Sequence, residues 1–439
     1  MRSFRAAKLI VGTLLIVAVA AVLYWSDFAL VKKLIGYNVP QATKLPIGPA
    51  GDILKVPEGF RVTKFAEGLI NPRVIAFDPN GRMLISEPKE GKVLVLEDLD
   101  SDGTAESKRV VLENLRLPHG LAFYTDPKTK IVYLYVAETH QVARFVYDVA
   151  KGLVPSAIGK NIANLPADGR HFSRTIGFGP NYRTSQIIGG KSDVNTQVPT
   201  KLYISVGSFC DVCVETETWK RAVILESDPE GTFTAEFAGG LRNSVFFTFH
   251  PETKEIWATE MGRDNLGDEL PPDEINIVKV AGEEHKYGAR RYGWPFCYGD
   301  RVTDRTFKPG KVDRIDIPAD CSQTEPATIE LPAHSAPLGL AFVPKDGGWP
   351  KEWAGDLLVA YHGSWNRSQP RGYKIVRFDL DKNGKLLQPK NQDGADFITG
   401  FYDGKNTLGR PVDLKFGPNG ALYISDDSAG MIYRVEPAN

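Results

Sequence analysis

The chain has 439 residues, a formal net charge of -1, 42% hydrophobic and 24% charged residues, the proportions of an ordinary globular protein. So even a balance gives no electrostatic footprint for nucleic acid and no reason to expect an acidic surface as partner. With 42 glycines and 30 prolines but no low-complexity tract, the composition favours short strands joined by tight turns, an all-β fold.

The first element in chain order is an export signal. Arg2, Arg5 and Lys8 precede an apolar run from Leu9 to Trp25, and Asp27, Lys32 and Lys33 come after it. The basic flank stays in the cytoplasm and the chain beyond the apolar run crosses the membrane. A run of about 17 residues lies between the length of a signal-peptide core and that of a membrane span. Ala18-Val19-Ala20 offers a cleavage site, but apolar residues continue past it. Residues 1–26 therefore read as an uncleaved membrane anchor in preference to a removed signal peptide. Either way the rest lies on the periplasmic or extracellular side of the inner membrane, anchored or secreted. Residues 27–54 read as a linker, and the stretch 26–55 as also holding a first outer strand that closes a ring with the C-terminal segment.

From residue 55 onward one phrase recurs: an apolar strand ending in Phe-x-Pro or similar, a turn, and a second strand. It runs Val74–Glu87, then Leu121–Pro127 into Val132–Val136, then Ile176–Pro180 into Leu202–Gly207. It returns as Phe247–Pro251 into Ile256–Glu260, Leu340–Pro344 into Leu357–Tyr361, and Leu414–Asp426, six copies in all. A third strand follows several of them, at Lys92–Leu96, Val142–Val146, Lys374–Phe378 and Met431–Val435. Antiparallel units repeating every ~45 residues or more are the signature of propeller blades. Residues 55–439 are thus predicted to form a six-bladed β-propeller, with an insertion from about Asn265 to Pro326 rich in Gly, Pro, Tyr and Trp.

Asp98-Leu-Asp-Ser-Asp-Gly103 begins like a calcium loop, but Arg109 falls at the closing position, so it reads as an Asx-rich turn. The four cysteines are Cys210 and Cys213 in a Cys-x-x-Cys, and Cys297 and Cys321. In an exported protein an even count suggests two local disulfides in preference to zinc ligation or redox catalysis. The sequence contains no Cys-x-x-Cys-His, the attachment motif of a c-type haem.

About eight to ten residues before each repeat Pro stand Asn71 (with Arg73 nearby), His119, His171, Arg242 with Asn243, His334 and Arg410. In a propeller the innermost strands start at one mouth of the central channel, so equal phase predicts one ring around that mouth. Arginine forks suit carboxylates or phosphates and histidine adds a base near neutrality, the chemistry of an anionic cofactor beside a general base.

His171-Phe-Ser-Arg-Thr-Ile-Gly-Phe-Gly-Pro180 followed by Leu202–Gly207 resembles the catalytic-base segment of quinoprotein sugar dehydrogenases, which use pyrroloquinoline quinone (PQQ). Gly240-Leu-Arg-Asn243, Trp257–Gly262 and Pro272-Asp-Glu-Ile-Asn276 resemble that family's quinone and calcium segment. Tyr292–Gly299 and His362–Arg367 are similar to its sorbosone and pyranose dehydrogenase branch. The resemblance spans roughly residues 55–437. It implies that His171 takes a proton from a sugar hydroxyl while hydride passes to the quinone, with Arg242 and Asn243 contacting the quinone. Carbonyls of Gly262 and Arg263 would hold calcium, supported by Asp273, and Arg410 would pair with a cofactor carboxylate. With no c-type haem motif in the chain, the electrons would leave to a separate acceptor, a quinone or a cytochrome. His119 falls where the family has a sugar-contacting residue, and Trp365 would reach the sugar or cap the channel. The glucose-oxidising branch holds the quinone with a fifth-blade lysine. Here His362, Arg367 or Arg371 takes that place, and Arg170 precedes the base where an acid would help orient a sugar. Two other readings compete: a calcium-dependent propeller lactonase, which needs Glu, Asn and Asp side chains in the channel, and a non-catalytic exported scaffold.

Overall fold

The computed structural model describes residues 43–44, 54–182, 200–280, 289–308, 320–387, 389 and 393–438. The export segment expected at 1–26 and most of the linker lie outside them. No helix among the described residues is long and apolar enough to cross a membrane.

Six antiparallel sheets succeed one another along the chain. Blade 1 consists of Ile75–Phe77, Met83–Glu87, Lys92–Glu97 and Ser107–Leu112, with Thr43–Lys44 added at its outer edge. Blade 2 holds Leu121–Thr125, Val132–Glu138, Gln141–Val146 and Lys160–Asn164. Blade 3 holds Ile176–Gly179, Lys201–Val206, Val223–Ser227 and Thr234–Gly239. Blade 4 holds Phe247–Phe249, Ile256–Glu260, Asp273–Val278 and Ile329–Leu331. Blade 5 holds Pro337–Phe342, Leu357–Tyr361, Lys374–Phe378 and Ala395–Ile398. Blade 6 takes Pro411–Phe416, Leu422–Asp426 and Met431–Pro437 from the C-terminus.

The outer strand of blade 6 is Phe60–Ala66, in register Phe60 with Pro437 and Val62 with Val435. It lies C-terminal to the stretch 26–55 in which the sequence pattern placed it. The first innermost strand contacts those of blades 2 and 6, so the ring closes with both ends of the domain in one sheet and no blade edge is left at the seam.

The repeat phrase explains the blade locally. Second strands such as Met83–Glu87, Ile256–Glu260 and Leu422–Asp426 are buried on both faces throughout, three apolar residues followed by a buried hydroxyl residue and a buried acid in each. The Asp-Pro-Asn-Gly turn of blade 1 is an Asx turn: Asp78 Oδ1 accepts from the Asn80 and Arg82 amides at 2.8 and 2.9 Å. Gly81 supplies the left-handed residue the turn needs, at φ +83°. Leu358, Ala360 and Ile375 of blade 5 pack with Leu414, Leu422 and Ile424 of blade 6, one of several such seams.

The insertion is shorter than expected. Asp273–Val278, inside the Asn265–Pro326 stretch, is the third strand of blade 4. The interruption of the blade comes after that strand: Arg290–Arg291 runs parallel to the outer strand of blade 3, and Cys297–Tyr298 forms a small hairpin with Val302–Thr303. Both expected disulfides are present, Cys210–Cys213 and Cys297–Cys321.

Candidate active site at the channel mouth

Four acids at the ends of second strands fix the chain as it enters the innermost strands. Glu87 accepts from the Ile70 amide, Glu138 from Arg116, Glu260 from Asn243 and Asp426 from Arg410, at 2.5 to 2.9 Å. Each acid stands two residues beyond the partner of the blade's apolar-x-Phe strand: Ile85, Val136, Ala258 and Ile424 respectively. These buried carboxylates replace the missing ladder partner of the entering strand. Burial pushes the Glu260 carboxyl up to about 8.

The polar ring expected at one level divides into two. Arg73, His119 and Arg174 each stand two residues before an innermost strand and are buried, His119 and Arg174 completely. His171 and Arg242 stand five residues before theirs, His171 half-buried and Arg242 buried. A strand residue advances about 3.3 Å, so the difference in offset becomes a difference in depth. His119 therefore does not reach the mouth, where a sugar contact was expected. The Thr175 hydroxyl donates to the Val245 carbonyl and so receives from His119 Nδ1 at 3.4 Å. Among the described residues the His119 Nε2 has no hydrogen-bond partner, and neither does the Arg73 Nε. Asn71 is a left-handed turn residue, and His334 Nε2 lies 2.9 Å from the Gly267 carbonyl.

His171, Arg242 and Asn243 come together over Gly207. A Cβ at Gly207 would lie 2.6 Å from Asn243 Oδ1 and 2.7 Å from His171 Cβ. The His171 Nδ1 is 2.9 Å from the Ser208 carbonyl. A carbonyl can only accept, so Nδ1 carries the hydrogen and Nε2 is the basic nitrogen. Burial and the neighbouring Arg242 charge lower the His171 pKa to about 3, keeping the ring neutral at physiological pH. Arg242 is nearly buried; its Nε donates to the Asp211 carbonyl at 2.9 Å, Nη2 to the Asp211 carboxylate at 2.7 Å and Nη1 to the Met261 carbonyl at 3.2 Å. Arg170 donates to Asp264 at 2.7 Å, and Asn366 donates to the other oxygen of Asp264 at 3.0 Å.

A second group sits where blades 5, 6 and 1 meet. Asp427 accepts from His362 Nε2 at 2.9 Å and from Arg73 Nη1 at 2.8 Å. Burial works to raise the Asp427 carboxyl, but His362 and Arg73 outweigh it and hold it below the usual range. Burial lowers His362 to about 4, so the neutral ring gives its hydrogen to Asp427 and keeps Nδ1 bare. Arg410 donates to the His362 carbonyl at 3.1 Å and the Gly363 carbonyl at 2.5 Å. The other two fifth-blade candidates are held at the rim: Arg367 by Asp268, Ala333 and Glu269, and Arg371 by Glu269 and Asp393. Trp365 is 67% exposed, with the Arg170 guanidinium 5.9 Å from its ring centre.

The segment expected to bind calcium is braced from below. Asp273, fully buried, accepts from the Gly262 amide and from the Ala336 amide, both at 2.9 Å, and burial raises its carboxyl to about 6. A Cβ at Gly262 would lie 2.8 Å from Pro271 and 3.0 Å from the Pro272 carbonyl, so the loop is packed as closely as glycine permits. The Asp98 turn brings carboxylate oxygens of Asp98, Asp100, Asp102 and Glu106 within 4.8 Å of one another, with Glu106, not position 109, closing the group. Arg109 instead pairs with Glu97 at 3.3 Å.

Ser208, Asp211, Asp264 and Asp427 belong to the site although no sequence motif singled them out. Asp211 was visible inside the Cys-x-x-Cys, and Asp427 directly follows the last residue of the sixth repeat.

A family model described as TrAA12-like matches residues 54–438. An uncharacterized protein of Borreliella burgdorferi is 30% identical over 384 residues, 87% of this chain and 90% of that protein. A pyrroloquinoline quinone-dependent pyranose dehydrogenase of Coprinopsis cinerea is 25% identical over 416 residues, 87% of this chain. The match covers 54% of that dehydrogenase, so this chain spans about half its length. Among solved structures, Trichoderma reesei carbohydrate-active enzyme family AA12 has the same fold, at a TM-score of 0.72, 20% identity, 90% of this chain and 100% of that one.

Proposed function

We propose that this chain, which belongs to the TrAA12-like family, is a PQQ- and calcium-dependent dehydrogenase that oxidises a sugar and passes the electrons to a separate acceptor. The observation that carries the proposal is the His171 imidazole, held neutral with Nε2 as its basic nitrogen, beside Asn243 and the clamped Arg242. The donor set fits an anionic quinone: Arg242 spends three of its five N–H groups on hydrogen bonds, with Asp264 Oδ2 3.6 Å from Nη2, and among the described residues the buried Arg73 has an unpartnered Nε beside His362 and Asp427. The close-packed Gly262 loop over the Asp273 carboxylate fits a hard cation bound by backbone oxygens of Gly262 and Arg263.

The quinone, when bound, supplies the two-electron acceptor for hydride. His171 Nε2 accepts the proton of the sugar hydroxyl. Its low basicity suffices because a carbinol losing hydride becomes strongly acidic, so proton and hydride depart together. Arg242, fixed in plane by Asp211 and Met261, presents its remaining N–H groups where negative charge develops. Of the fifth-blade candidates we place His362 at the quinone, at the seam with blade 6; its bare Nδ1 can only accept a hydrogen bond, so the cationic part of the lysine's role falls to the neighbouring Arg410, while Arg367 and Arg371 serve the rim. Trp365, exposed beside Arg170, is the platform for the sugar face. Two disulfides support an oxidising, exported location, and the N-terminal apolar run an anchor in the membrane.

The lactonase reading is disfavoured because Glu87, Glu138, Glu260 and Asp426 are engaged with backbone amides and do not converge on a channel cation. The test of the base is His171→Gln. Turnover is expected to fall on the order of 10²–10⁴-fold while quinone binding persists. Undiminished turnover in that variant would remove His171 from the mechanism.

A further inference from the structure

We propose that Asp211 is the positioning residue for Arg242, and that the Cys210–Cys213 disulfide is the staple that keeps it in place. The inference rests on the reading of Arg242 as the quinone-contacting group.

Asp211 meets three separate parts of the fold. Its Oδ1 accepts from Arg242 Nη2 at 2.7 Å and from the Asp264 amide at 2.9 Å. Its backbone carbonyl accepts from Arg242 Nε at 2.9 Å and from the Trp294 indole at 3.2 Å. One residue of blade 3 thus ties the loop after the second strand of blade 4 and the insertion around Trp294 to the same guanidinium. Arg242 is 4% exposed. With Met261 as its third acceptor, it cannot turn about its plane without breaking a charge-assisted bond.

Half of this grip comes from a backbone carbonyl, which is only as well placed as the backbone that carries it. Asp211 lies between the two half-cystines, whose sulfurs close a ring across a sequence separation of 3. The same loop orients the base: Ser208 offers its carbonyl to His171 Nδ1 at 2.9 Å, and its hydroxyl donates to the Cys210 carbonyl at 2.6 Å. The Ser208 amide in turn donates to the Arg242 carbonyl at 2.7 Å. A loop of this kind would sample many conformations if left open. The cross-link confines it where both reacting-site side chains need it, so its role is placement of Arg242 and His171 as well as stability.

The test uses the full chain and three variants: Asp211→Ala, Asp211→Asn, and the pair Cys210→Ser/Cys213→Ser, each checked by near-UV circular dichroism and melting midpoint. Three quantities are read: the Kd for PQQ by quenching of tryptophan fluorescence in the calcium-loaded protein, the absorption maximum of the bound quinone, and kcat and KM for the sugar. Asp211→Ala is expected to lower kcat on the order of 10²-fold with KM little changed, and to shift the quinone band. Asp211→Asn, which keeps an oxygen acceptor, recovers most of that loss. The cysteine pair moves the same quantities in the same direction and adds little on top of Asp211→Ala, as members of one unit do. A folded Asp211→Ala protein with the wild-type band and kcat overturns the inference while leaving the function standing. Independent, multiplying effects of Asp211 and the disulfide overturn the staple. A wild-type protein that takes up no quinone overturns the function, and the inference with it. Should Asp211→Ala fail to fold, the cysteine pair carries the test: a folded protein with the wild-type band and kcat overturns the inference, and a shifted band with lowered kcat supports it.

Discussion

Replacing Gly207 with alanine inserts one methyl group between the base and its neighbour. The new Cβ would stand 2.6 Å from Asn243 Oδ1 and 2.7 Å from His171 Cβ. Ordinary contact begins near about 3.5 Å, so one or both side chains must retreat by roughly 0.8–1 Å. Gly207 is buried and its φ is not in the left-handed region, so the strain comes from space and not from backbone conformation. Overpacking of this kind costs about 1–3 kcal/mol of stability. A misplacement of about 1 Å at the base lowers kcat on the order of 10²-fold. The control is Gly179→Ala, at the far end of the innermost strand of the same blade, where the Cβ would strike the Phe249 ring. Both variants should melt earlier, measured by circular dichroism, and only Gly207→Ala should lose kcat once loaded with quinone and calcium. Wild-type turnover by Gly207→Ala refutes the reasoning. So does an equal loss in folded Gly179→Ala.

Burial raises Glu260 from 4.5 to about 8, so between those values the folded state holds a proton that the unfolded chain has released. Its contribution to stability is complete below pH 4.5 and is lost as pH rises through 8. Glu260→Gln cannot ionise: the apo variant should melt with the wild type near pH 5 and above it at pH 9, and coincident curves at both would contradict the assignment. Asp273→Ala withdraws the acceptor of the Gly262 and Ala336 amides. Calcium affinity, followed by titration calorimetry of the quinone-loaded protein, should weaken about 10–100-fold, and unchanged affinity would remove Asp273 from the cation site.

The blades were legible because each repeats an apolar strand, an Asx or glycine turn and a strand buried on both faces, a pattern that local chemistry specifies without tertiary help. His171, Arg242 and Asn243 were legible by position and do converge. Depth was not: counting residues back from a proline treats Arg73 and His119 as equals of His171. The spacing to the strand start puts the first two below the mouth. The third strand of blade 4 was hidden in a segment whose glycines, prolines and aromatics spoke for a loop. Asp427 and Asp264 were invisible because their partners, His362, Arg73 and Arg170, lie in other blades. Asp211 was passed over because its flanking cysteines account for themselves as a staple, and only the fold sets Arg242 against the residue between them.

The most direct measurement mixes the purified protein with PQQ and calcium and follows absorbance before and after each of a panel of sugars. The account predicts stoichiometric uptake of the quinone and its reduction by at least one sugar, with His171→Gln binding the quinone but leaving it oxidised. Absence of uptake would contradict the account at its root, leaving the six-bladed propeller without the chemistry assigned to its mouth.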